Sequence, residues 1–324
     1  MSTLHISLFG KFCARRDGQM VEGFDARKVQ ELFCYLLLHR DHSLSRETLA
    51  SVLWPETTTA LSKKSLRQAL WQLQSALGSQ SAAIPERMLV VDPEWIQLNA
   101  RADLWLDVAA LEYASHITQN MPGTELDTQK AFMLQQAVQL YQGPLLEGWY
   151  NDWCILERER LQTLYLAMLD KLMGYCEVRH DYETGLQYGM RIMCYDRARE
   201  RTHRCLMRLH YLSGDRAAAL RQFDQCSAAL EDELGVGPSK HTVALYEQIQ
   251  ADQLIETEFN GTSSSITTSP TLEAASPLLL EVLGRLAQLQ GALADLQTQV
   301  QQTMKAVEQI VESNQLSPFA YSAK

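Results

Sequence analysis

Apolar and polar positions alternate from the first residues. Leu4, Ile6 and Leu8 share one face ahead of Gly10, and a second short run follows at Phe12–Ala14. A period of two predicts short strands joined tightly. From Ala26 the period changes: Val29, Leu32, Phe33, Leu36 and Leu37 lay an apolar stripe along a helix that should end near Arg40–His42. Ser45 is a good N-cap for a second helix. Glu47 suits its positive end, Leu44 and Leu49 are spaced as a hydrophobic staple, and Pro55 stops it. A third helix is expected over about Leu61–Leu77, with Leu66, Leu70, Leu73 and Leu77 buried and Gly78 closing it. Its other face carries Lys64, Arg67, Gln68, Trp71, Gln72, Gln74 and Ser75.

Two β-like runs, Met88–Val91 and Trp95–Leu98, flank the turn Asp92-Pro93-Glu94. Strands, three helices and a hairpin are the order of a winged helix with an N-terminal sheet, and residues 1–101 are about the length one needs. From Asp103 to about Gln253 the pattern is helical almost throughout. Within it, Asp181-Tyr-Glu-Thr-Gly-Leu186 returns as Asp215-Arg-Ala-Ala-Ala-Leu220, an offset of 215 − 181 = 34 residues. That is the period of tetratricopeptide-type helix pairs, which build curved interaction surfaces. The expected fold is therefore mainly α: a winged helix-turn-helix with a small β-sheet, then a tetratricopeptide-like α-helical domain over 102–255.

Residues 256–276 turn to Ser, Thr, Gly and Pro, the composition of a flexible linker spanning roughly 20–25 Å. Beyond it, Leu279, Val282, Leu286, Leu289, Leu293, Leu296, Val300, Thr303, Val307 and Ile310 step by three and four without a break. This strict seam predicts a C-terminal coiled-coil helix over 277–313, with its apolar members making a homo-oligomer. A single amphipathic helix laid on the helical domain is the other reading; it would tend to show a wider stripe.

Charge changes the picture locally. The chain has 324 residues and a net charge of −10. Residues 1–101 hold 12 basic and 10 acidic residues, hence +2, and the remaining 17 and 29 give −12. Thr57–Pro85 contains no Asp or Glu but holds Lys63, Lys64 and Arg67, an electropositive feature on an acidic molecule. Seven scattered cysteines, never spaced C-x-x-C, disfavour a disulfide framework and a zinc site. With no secretion signal at the start and no long apolar run, a cytoplasmic protein without membrane contact is expected. Phosphate-loop, nucleophile-elbow and H-E-x-x-H motifs are all missing, so neither an enzyme nor a cofactor is expected. His180-Asp181 opens a repeat, where a turn is the expected role.

Leu4-His-Ile-Ser-Leu-Phe-Gly10, Leu36-Leu-Leu-His39, Leu44-Ser-Arg-Glu-Thr-Leu49, Leu53-Trp-Pro55 and Ser65-Leu-Arg-Gln-Ala-Leu70 resemble the response-regulator-type winged helix of the SARP family of antibiotic regulatory proteins. Leu140-Tyr-Gln-Gly-Pro-Leu-Leu-Glu-Gly148, Trp153, Glu157-Arg-Glu-Arg-Leu161 and Leu234-Gly-Val-Gly-Pro-Ser239 resemble its partner, the bacterial transcriptional activator domain. Two motif sets in the family's order cover about residues 1–255. The resemblance implies a sequence-specific transcriptional activator on double-stranded promoter DNA. Its third helix would enter the major groove and its wing lie along the minor groove, while the helical domain would touch RNA polymerase or neighbouring protomers.

The residue types agree. Lys63 and Lys64, near the helix start, suit phosphate contacts, and Arg67, Gln68 and Trp71 are placed to face the groove, followed by Gln72. Arg87 is the cation nearest the wing. The chain also departs from the family pattern: Leu73-Gln-Ser-Ala-Leu77 stands where basic residues usually repeat, and the wing carries Asp92 and Glu94. Fewer phosphate contacts mean a shallower salt dependence for one domain, by about one unit of slope per contact. The alternative is a helical-repeat scaffold whose winged helix binds protein.

Overall fold

The computed structural model describes residues 3–78 and 88–253. Arg87, the linker 256–276 and the heptad segment 277–313 with its seam residues lie outside the described residues.

The alternating start folds as β1 (Leu4–Ser7) and β2 (Cys13–Arg16), extended by a two-residue β3 (Gln19–Met20). Leu4, Ile6 and Leu8 are fully buried, as an alternating strand facing a core requires. β1 pairs antiparallel with β2 and parallel with β7 (Leu104–Leu106), giving the order β3-β2-β1-β7. β7 lies in the stretch whose pattern is helical almost throughout. Three residues are too few to show a period, and only the parallel pairing with β1, a hundred residues earlier, defines the strand.

The winged helix follows as α1 (Arg27–Leu38), β4 (Leu44–Ser45), α2 (Arg46–Leu53), α3 (Thr59–Ala76), β5 (Leu89–Val91) and β6 (Trp95–Leu98). Ser45 caps α2 by accepting the Thr48 N–H at 3.0 Å. α3 starts two residues earlier than its leucine spacing indicates, and Gly78 just past its end takes φ +69°, the left-handed conformation suited to that position. β4 pairs with β6 and β6 with β5, so the strand leading into α2 belongs to the wing sheet.

α1 is buried on more than its apolar stripe. Every residue from Glu31 to Leu38 is buried, and Glu31 is held by Arg27 at 3.2 Å and Lys28 at 2.7 Å. One side packs on α2 and α3; the other meets the helical part, where Tyr35 meets Trp153 and Arg27 lies 3.7 Å over the Trp149 ring. One hydrophobic core joins residues from Leu4 to Leu209, a second, smaller cluster gathers Met207, Ala219, Leu245 and Ile249, and Met1–Glu256 forms one compact unit.

The helical part comprises α4 (Asp107–Ile117), α5 (Thr128–Leu140), α6 (Asp152–Val178), α7 (Tyr182–Met193), α8 (Glu200–Leu212), α9 (Arg216–Leu234) and α10 (Lys240–Gln250). The echoed segments start equivalent helices. Asp181 caps α7 through the Thr184 N–H at 3.4 Å, and Asp215 caps α9 through the Ala218 N–H at 2.8 Å. The residues before them, His180 and Gly214, take φ +57° and +87°. His180 is thus a turn residue. Gly185 and Gly189 let α7 approach its neighbours: a Cβ at Gly189 would lie 2.4 Å from a Leu206 methyl.

Candidate nucleic-acid interface

α3 is fixed from below by Leu66, Ala69, Leu70 and Leu73, all buried, which leaves its opposite face outward. Lys64, Arg67 and Gln68 are exposed, and Trp71 is 61% exposed. Gln72 is half-buried. Lys63 is half-buried and engaged: its Nζ lies 2.6 Å from Glu47 Oε1 at the start of α2. That contact holds the Glu47 carboxyl below the ordinary carboxylate range.

Beside this face, α3, the start of α2 and the wing enclose a cleft of about 580 Å3. Arg46, Glu47, Lys63, Arg67, Glu94 and Trp95 stand on its walls. Arg46 ties α2 to the wing turn, its backbone N–H donating to Glu94 O at 2.9 Å and its Nη1 to Asp92 O at 3.1 Å. Trp95 is 46% exposed, a large aromatic surface next to Arg67. The far half of α3 has a different neighbour. Trp71 and Gln72 border a groove shared with Glu22 and Asp25, and a Cβ on Gly23 would lie 2.8 Å from Ala76 Cβ, so the loop before α1 is pressed onto the end of α3. The first half of the helix therefore carries the cations, with Glu47 and Glu94 beside them, and Glu22 and Asp25 border the second half.

Sequence reasoning singled out Lys63, Lys64, Arg67, Gln68, Trp71 and Gln72, and all six lie on or beside this one face. Arg46 and Trp95 were missed as members, and Glu47 was seen only as a helix-end charge. The Glu47–Lys63 pairing spans 16 residues across the turn between α2 and α3, and no periodicity marks it.

The winged helix is seated on the helical part through the segment Leu140–Gly148. Leu146 N–H donates to Leu8 O at 2.8 Å, Gly10 N–H to Pro144 O at 3.0 Å, and Glu147 N–H to Gly10 O at 2.7 Å. Left-handed Leu146 (φ +47°) and Gly148 (φ +79°) shape this strap. Arg158 locks it by donating to Leu145 O at 2.9 Å, Leu146 O at 3.1 Å and Trp149 O at 2.8 Å. Asp107, 2% exposed, accepts the N–H groups of Leu8 at 2.7 Å and Phe9 at 3.0 Å. Burial outweighs these hydrogen bonds and raises its carboxyl to about 6. Among the described residues no His, Cys, Asp and Glu cluster could hold a metal, and no helix is long and apolar enough to cross a membrane.

Residues 106–250 match the family model of the bacterial transcriptional activator domain. Among solved structures, the chain is similar to Mycobacterium tuberculosis EmbR in complex with a low affinity phosphopeptide, at 19% identity and a TM-score of 0.58, over 79% of this chain and 67% of that one. No curated protein matches the chain. The chain thus joins a winged helix to a segment, under half of its length, that matches the bacterial transcriptional activator domain.

Proposed function

We propose that the chain activates transcription by binding promoter DNA through α3, with the helical part presented to RNA polymerase or to a neighbouring protomer. The observation that carries this reading is the outward face of α3, where Lys64, Arg67 and Gln68 stand exposed on a helix whose other side is anchored in the core. Arg67 can donate bidentately to guanine and Gln68 can pair with adenine, while Lys64, Lys63 and Arg46 are placed for phosphates. The heptad seam from Leu279 to Ile310 would bring two or more copies together, so that paired half-sites compensate for few phosphate contacts per domain. This work takes place in the cytoplasm.

Selection from a randomised duplex library at two salt concentrations, with the full chain and an Arg67→Ala variant, tests the proposal. Enrichment of a paired motif that Arg67→Ala loses is the expected result. No enrichment at low salt would favour a scaffold whose winged helix binds protein. Light scattering and DNA titration of a chain ending before residue 277 test the seam: the expected outcome is a smaller oligomer with weaker binding.

A further inference from the structure

Behind the winged helix, α4 and α6 pack together and leave a groove of about 680 Å3, with Arg40 from the end of the α1 segment on its wall. That volume suits a small organic ligand. Two of its cations are matched within the protein. Glu112 accepts from Arg40 at 2.5 Å and from Arg160 at 2.6 Å, and Glu157 takes a second contact from Arg160 at 2.7 Å.

Lys171 is different. Its ammonium donates to the Thr118 carbonyl, one acceptor for a group with three donors. Among the described residues it forms no ion pair, and burial pulls it below the ordinary lysine range with no acid opposing the shift. Close by on the same walls are His116 and an apolar surface made by Leu164 and Tyr113, the latter 61% exposed.

We propose that this groove binds a small monocarboxylate with an apolar body, the carboxylate meeting Lys171 and His116 and the body lying against Tyr113 and Leu164. One unmatched ammonium calls for one negative charge. Asp41 and Glu112 on the walls oppose a doubly charged phosphate, and the apolar surface calls for hydrocarbon. The site touches both the winged helix, through Arg40, and the activator domain, and it stands whether or not α3 binds DNA.

Benzoate and its neutral counterpart benzamide are the probes, titrated into the full chain by ligand-observed NMR. Saturable benzoate binding with Kd on the order of 1 mM is expected, and benzamide should bind at least about tenfold more weakly, as loss of a charge-assisted contact implies. Lys171→Met should weaken benzoate by a similar factor. Ala167→Phe fills the groove while leaving the Lys171–Thr118 contact in place, and should remove binding. Absence of saturable benzoate binding, equal binding of benzamide, or undiminished benzoate binding by either folded variant overturns the proposal. If Lys171→Met fails to fold by circular dichroism, the benzamide comparison and Ala167→Phe decide.

Discussion

Tyr35 of α1 meets Trp153 of α6 edge-on, ring centroids 5.4 Å apart at 87°. The helix at the centre of the winged helix thereby has its second face covered by the activator domain, and the two parts share one core. Trp153→Ala should cost about 3–5 kcal/mol, the usual range for a buried tryptophan. Chemical denaturation, followed through both the α3 region and the helical repeats, should show the two parts lose stability together. Loss confined to the helical part would contradict the shared core.

Arg158 closes the strap with three carbonyl acceptors, a geometry that needs the planar fork of a guanidinium. Arg158→Lys keeps the charge and should still lose most of the stabilisation, about 2 kcal/mol or more, because buried carbonyls are left unpaired. A melting curve superimposable on the parent's would show that the strap holds without it.

Asp107 gives a pH signature. Its carboxyl rises from the ordinary 3.8 to about 6 in the fold, so the folded chain binds more protons than the unfolded one between those values. Stability from this group is therefore lost as pH rises through that window, by about 3 kcal/mol in full. Asp107→Asn cannot titrate. The stability difference between parent and variant should fall from pH 4 to pH 7, and a constant difference would place the proton elsewhere.

Gly123 faces the backbone of α6, where a Cβ would stand 2.1 Å from Lys171 O. No flexible side chain can yield there, so Gly123→Ala should displace the turn at 123–125 and destabilise by more than 3 kcal/mol, beyond an ordinary single substitution. Gly10→Ala meets nothing within 4 Å, and should cost only the strain of φ +83°, about 1–2 kcal/mol. Paired thermal melts separate the two cases.

Glu47 occupies Lys63 on the same surface that carries Arg67. Glu47→Gln should release the lysine, raise duplex affinity a few-fold and steepen the salt dependence by about one unit. Fluorescence anisotropy across a salt series measures both, and unchanged slope would mean that Lys63 takes no part in DNA contact.

Much of this architecture is local and was legible in the chain. The strand alternation at Leu4, Ile6 and Leu8, the Ser45 cap and the leucine face of α3 are set by periodicities of two and 3.6 and by helix-end chemistry, and the echo of Asp181–Leu186 at Asp215–Leu220 by the 34-residue repeat. The outward face of α3 follows from the same arithmetic, since fixing the buried leucines fixes what remains.

Only the tertiary structure decided the rest. β7 exists because β1 supplies its hydrogen bonds, and Asp107 is buried because Leu8 and Phe9 present N–H groups to it. The second buried face of α1 depends on Trp149 and Trp153, more than a hundred residues away, and the unmatched Lys171 is defined by where every carboxylate of the described chain comes to rest. Sequence fixes what repeats along the chain; pairing, burial of charge and the balance of a groove are properties of neighbours in space, which only folding brings together.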